Sequence, residues 1–216
     1  MAVTRKPVHE AGNPIRLEID LETRQRILEA ARELFMSKGF KGVSMRDVAE
    51  IVKVTPAALY YHFPQGKEDL FIEVVKQMFE DYGRAARKAV EPGHTTREKL
   101  RLLAVHIISG LGNNSGWPML MRDVREYLDK ARQPEIWKHY GTSYIHSIRD
   151  IFQEGIDQGE LSSNIPTDAL SSIFYGMALS FKWGQGQDCF EDPVEIGRIA
   201  DIMVSVLMDG VALRKR

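Results

Sequence analysis

The chain has 216 residues, 44% of them hydrophobic and 27% charged, with a net charge of −1; this is the balance of an ordinary globular protein and excludes a disordered or fibrous one. A near-neutral chain does not bind polyanions over its whole surface, and one cysteine, Cys189, permits neither an intramolecular disulfide nor a cysteine-built zinc site. No apolar run nears the roughly 18 to 20 residues that span a bilayer, and the opening MAVTRKPVHEAGNP lacks the apolar stretch of a signal peptide, so the expectation is a soluble, cytoplasmic protein with no membrane partner.

Residues 1–20 mix Pro, Gly, Asn and charges without period and read as a loose arm. Thr23 then offers a cap for a first helix carrying Ile27, Leu28, Ala31, Leu34 and Phe35, ended by Gly39. A second, two-turn helix starts behind Ser44 and turns Val48, Ile51 and Val52 inward. Lys53-Val54 forms a turn, Thr55 caps a third helix, and Pro56 occupies its first position, where a missing N–H costs nothing. Pro64 stops that helix. A long fourth helix from Lys67 to about Val90 carries a wide apolar stripe. Further helices are expected over 96–111, 118–130, 134–158, 166–183 and 193–213, most with a proline at the start. No stretch alternates with a period of two, so the fold class is all-α.

Two short helices joined by a tight turn, the second opening with small residues, describe a helix-turn-helix. In such a unit the second helix enters the major groove with its N-terminal residues at the base edges. Here those are Thr55, Pro56, Ala57 and Ala58, whose small side chains let the helix sit deep and whose methyls suit thymine methyls. Leu59 is the apolar peg of the unit. The surroundings are basic: Lys38, Lys41, Arg46, Lys53 and Lys67 stand against Asp47 and Glu50. A solvated face has the same composition.

The stretch GVSMRDVAEIVKVTPAALYYHFPQGKEDLF resembles the N-terminal module of the TetR (tetracycline-repressor) family of transcriptional regulators, through Ser44, Val48, Ala49, Val54, Thr55, Leu59, Tyr60, His62, Phe63, Lys67, Glu68 and Leu70. The resemblance implies a head at 21–66 that binds a double-stranded DNA operator, and a helical ligand-binding and dimerisation body at 67–216. By position it implies that Ser44 and Thr55 cap helices at phosphates, Arg46 reaches bases, Ala57 and Ala58 face the groove, Tyr60 or Tyr61 with His62 touches phosphates, and Lys67 adds a charge. Tyr60 and Phe63 read equally as core. Lys53 stands where that family usually has glycine.

In the body, aromatic and flexible apolar residues are plentiful. His106, Trp117, Tyr140, Tyr144, Phe174 and Tyr175 are the candidate liners of a site for a small hydrophobic effector, against a background of ordinary core packing. His139 and His146 lie two turns apart with no further ligand beside them, so no metal or other cofactor is expected. The stripe Ile199, Met203, Val206, Leu207 and Gly210 on the last helix reads as a homodimer face or as monomer core. The leading reading is a repressor released from a near-palindromic operator by that effector; the alternative is a dimeric DNA-binding adaptor or architectural protein with no small ligand. GLGNNSG and GQGQ lack the lysine and the preceding strand of a phosphate loop, and no nucleophile and base come together, so an enzyme is not expected.

Overall fold

A computed structural model describes residues 14–113, 117–184 and 192–211. The described residues form helices α1 (Pro14–Lys38), α2 (Met45–Val52), α3 (Pro56–His62), α4 (Lys67–Val90), α5 (Thr96–Asn113), α6 (Trp117–Tyr127), α7 (Gln133–Tyr140), α8 (His146–Asp157), α9 (Thr167–Gly184) and α10 (Pro193–Val211), with a five-residue π-helical turn, Gly141–Ile145, joining α7 to α8. None of them is long and apolar enough to cross a membrane. The chain divides into two compact units, Met1–Val74 and Val75–Arg216.

The local signals for helix starts act as expected at α2 and α3. Ser44 accepts from the Asp47 N–H while its own N–H donates to the Asp47 carboxylate at 2.7 Å, a reciprocal capping box. Thr55 Oγ1 accepts from Ala58 N–H at 3.2 Å, with Pro56 next in line. α1 differs from expectation. It starts at Pro14, and Thr23 lies inside it rather than at its head. Ile51 differs as well: it is 54% exposed, and Ala49 takes the inward place beside Val48 and Val52.

The core of the first unit joins Ile27, Ala31 and Phe35 of α1, Val48 and Val52 of α2, Leu59 of α3, and Leu70, Phe71 and Val74 of α4. Phe71 meets Phe35 and Phe40 edge-on, each at 5.0 Å between ring centroids. Two arginines of α1 tie the short helices down. Arg26 donates to the Val52 carbonyl at 2.9 Å, satisfying one of the orphan acceptors at the end of α2. Arg24 lies over the Phe63 ring and pairs with Glu73 at 2.8 Å.

In the second unit α5 and α10 run antiparallel, since Arg101 pairs with Asp201 and Arg97 with Asp209. Leu100, Leu103, Ala104, Ile107 and Ile108 share a core with Ile199, Ala200, Met203 and Leu207. At Gly83 in α4 a Cβ would collide with the Ser143 carbonyl oxygen, so this glycine is what allows the π-helical turn to lie against the helix. Ser147 fastens the same crossing, accepting from Arg87 at 2.7 Å.

Candidate functional site

In the first unit, α2 and α3 are held by their buried faces, and most of the expected DNA-facing set, though not His62 and Lys67, remains outside. Ser44, Arg46, Thr55, Pro56 and Ala57 are exposed, and Ala58 is half-buried. Proline at N1 and a threonine cap fix the start of α3 without long side chains, so the tip is both rigid and narrow. Hydrogen bonds from the Ser44 side chain and backbone hold the Asp47 carboxyl below its ordinary value, which keeps the capping box charged.

The aromatic run sorts by direction. Leu59 and Phe63 are fully buried, whereas Tyr60 is 50% and Tyr61 72% exposed. Tyr60 leans over the turn beside Gly66. His62 goes the other way: its side chain is only 6% exposed and its Nε2 lies 3.5 Å from Asp20. Lys67 is also turned inward. Its ammonium donates to the carbonyls of Phe40 and Val43 at 3.0 and 3.1 Å and sits 4.3 Å from the centre of the Phe40 ring. The outward cations beside α2 and α3 therefore include Arg46 and Lys53, with Lys67 serving the loop before α2.

The candidate effector residues do not all come together. Tyr140 and Tyr175 come together in a group centred on Tyr144, which also meets Tyr82, with ring centroids 5.5 to 6.5 Å apart. The Tyr140 and Tyr175 hydroxyls perturb each other. Burial, and then the neighbouring phenols, push the Tyr144 hydroxyl well above its ordinary value, and burial and Tyr175 do the same to Tyr140. Burial raises Tyr175 as well, against the lowering effect of the Tyr140 hydrogen bond. The cluster is thus a set of neutral phenols that can offer and accept hydrogen bonds but carry no charge. Tyr82 was hidden in the sequence as one more member of the long stripe on α4, and the π-helical turn, which presents Tyr144, has no sequence signal of its own. Phe174 is fully buried and packs edge-on against Phe152 at 6.1 Å. His106 is half-buried, and burial lowers its pKa. The side chain of Trp117 lies outside the described residues, as does Cys189.

His139 faces Glu80 at 3.1 Å and Ser143 at 3.2 Å, while His146 faces Arg149. Among the described residues no three His, Cys, Asp or Glu side chains gather as metal ligands would. On α10 the expected stripe splits in two. Ile199, Met203 and Leu207 are buried within the unit, and Val206 is 62% exposed beside the exposed Ile202. Positions 202 and 203 point about 100° apart, so one apolar helix serves two faces. On α9, Ile173 is exposed and Gly176 has open space around it. Gly210 lies outside the residues whose surroundings are described.

Residues 27–74, which hold α2, α3 and their supports, match the family described as "Bacterial regulatory proteins, tetR family". Over 142 residues the chain is 30% identical to YttP of Bacillus subtilis, a probable HTH-type transcriptional regulator, covering 65% of this chain and 66% of that one. It is 20% identical over 190 residues to the HTH-type transcriptional repressor KstR2 of Rhodococcus jostii, covering 88% and 91% of the two. A TetR-family transcriptional regulator from Pectobacterium atrosepticum, known from its crystal structure, shares the fold with a TM-score of 0.62 at 21% identity, covering 95% of this chain and 100% of its own. The chain belongs to the TetR family of bacterial transcriptional regulators.

Proposed function

We propose that the protein is a cytoplasmic, dimeric repressor that holds a near-palindromic operator through two copies of the α2–α3 head and leaves it when a small, largely apolar effector binds in the second unit. The DNA part is supported above all by the capped, proline-led start of α3, which exposes Thr55, Pro56 and Ala57 on a rigid support. Ser44 and Arg46 at the start of α2, and Tyr60 and Tyr61 on α3, add exposed groups for base edges and phosphates. The effector part is supported by the neutral phenols of Tyr82, Tyr140, Tyr144 and Tyr175, an apolar setting with a few hydrogen-bonding groups. Such a site favours an uncharged ring or chain bearing a hydroxyl or carbonyl. Release needs the effector to bind the DNA-free arrangement more tightly than the DNA-bound one.

Selection of duplexes from a randomised pool tests the first part. The expected product is a near-palindrome with half-sites about one helical turn apart, or a multiple of it; no enrichment of any sequence overturns the proposal. Small neutral apolar compounds are then screened by the rise in melting temperature, and a hit is expected to displace the selected duplex. Equal affinity of every hit for free and DNA-bound protein ends the switching part and favours the adaptor.

A further inference from the structure

Lys53 closes α2 in the left-handed conformation, with φ 59° and ψ 45°, and among the described residues it is the one non-glycine with positive φ. Its backbone does what any residue there would do: the N–H donates to the carbonyls of Ala49 and Glu50 and ends the helix. A glycine would perform that cap with no steric cost, whereas a lysine's Cβ crowds the following carbonyl. Among the described residues the side chain offers no compensation. It is exposed, and its ammonium makes no ion pair or hydrogen bond among the described residues. Its place is the turn between α2 and α3, two residues ahead of Thr55 and the exposed N-terminal tip of α3. With Lys67 turned onto the carbonyls of Phe40 and Val43, the charge that Lys67 would have brought to this surface is held within the unit.

We infer that Lys53 is a DNA-backbone contact: the turn tolerates a strained lysine because its ammonium pairs with an operator phosphate beside the recognition helix. This rests on the DNA-binding reading and adds to it a positioning residue of stated chemistry. A phosphate contact is sequence-independent and salt-dependent, which separates it from a role in stability or base reading.

The experiment uses the full-length protein and a duplex selected by it from a randomised pool, with Lys53→Gly, Lys53→Asn and Lys53→Arg compared with wild type across a salt series. Glycine and asparagine both accept positive φ, and arginine keeps the charge. Lys53→Gly is expected to melt higher by roughly 2 to 4 °C and yet to bind more weakly. For each phosphate left without its cation, the drop in affinity between 50 and 200 mM salt is expected to shrink by about 3.5-fold. Lys53→Asn is expected to bind like the glycine variant, and Lys53→Arg like wild type. Wild-type affinity and salt slope in Lys53→Gly overturn the inference, as does a lower melting temperature, which would make the lysine a stability residue. Failure of the wild-type protein to select any duplex instead overturns the DNA-binding reading.

Discussion

The two residues Tyr61 and Lys67 look alike as candidates in the sequence, a polar group near the recognition helix, and differ completely in place. Tyr61 stands out into solvent, so Tyr61→Phe is expected to change stability by less than about 0.5 kcal/mol and to lower duplex affinity in a gel-shift titration. Lys67→Met is expected to act the other way round: the Phe40 and Val43 carbonyls lose their donor and the Phe40 ring its cation, at a cost of about 1 to 3 kcal/mol by chemical denaturation. Any loss of DNA binding should then track the fraction unfolded. Sequence could tell that a charge lay at position 67 but not which way its stem would bend, because the accepting carbonyls are 24 and 27 residues away. His62 and Asp20 were hidden from each other for the same reason. The tip itself was legible, since caps and N1 prolines act within one turn of chain.

Helix boundaries obey that rule too: α2, α3 and α4 begin where Ser44, Thr55 and Lys67 announce them. α1 does not, because Thr23 caps only if the chain before it is not already helical. The joint between α7 and α8 escaped detection because its apolar spacing is compatible with one continuous helix, and the packing that decides the matter is against Gly83 of α4. Gly83→Ala is expected to force the turn away from α4 and destabilise the protein by roughly 1 to 3 kcal/mol. Gly110→Ala on α5, where a methyl meets nothing within 4 Å, should stabilise it by up to about 1 kcal/mol. Thermal melts of the two variants side by side check both. The phenols beside the joint give a pH prediction. Their folded pKa values lie above the ordinary 10.0, so the stability they contribute is fully present below pH 10 and is lost as pH rises toward the folded values. Phenolate absorbance should therefore appear in two parts, exposed tyrosines first and the buried group only with loss of helical circular dichroism.

Association of two chains is the level at which the sequence was least explicit. A helical stripe records how much apolar surface a helix has, not whether its partner is in the same chain, and α10 divides its stripe between Met203 inward and Val206 outward. If the outward half is the dimer face, Val206→Asp should yield a monomer in sedimentation with unchanged helical content, and its duplex affinity should fall because two half-sites can no longer be held at once. A Val206→Asp dimer places the interface elsewhere, and a monomeric wild type overturns the dimer reading itself. The aspartate itself adds little strain in one chain, where the position already meets water.

The π-helical turn has a consequence for how this region tolerates changes in chain length. A wide turn closes over one residue more than an ordinary helical turn, so between Gly141 and Ile145 the chain holds a spare residue without disturbing the helices on either side. Removing one residue there should restore a plain helix and leave Ile136, Ile148, Ile151 and Phe152 on their present buried faces. The same deletion a turn later would rotate the remainder of α8 by about 100° and carry its apolar side chains out of the core. Length variation among natural relatives should accordingly collect at this turn, as a single-residue gap whose two flanks stay in phase.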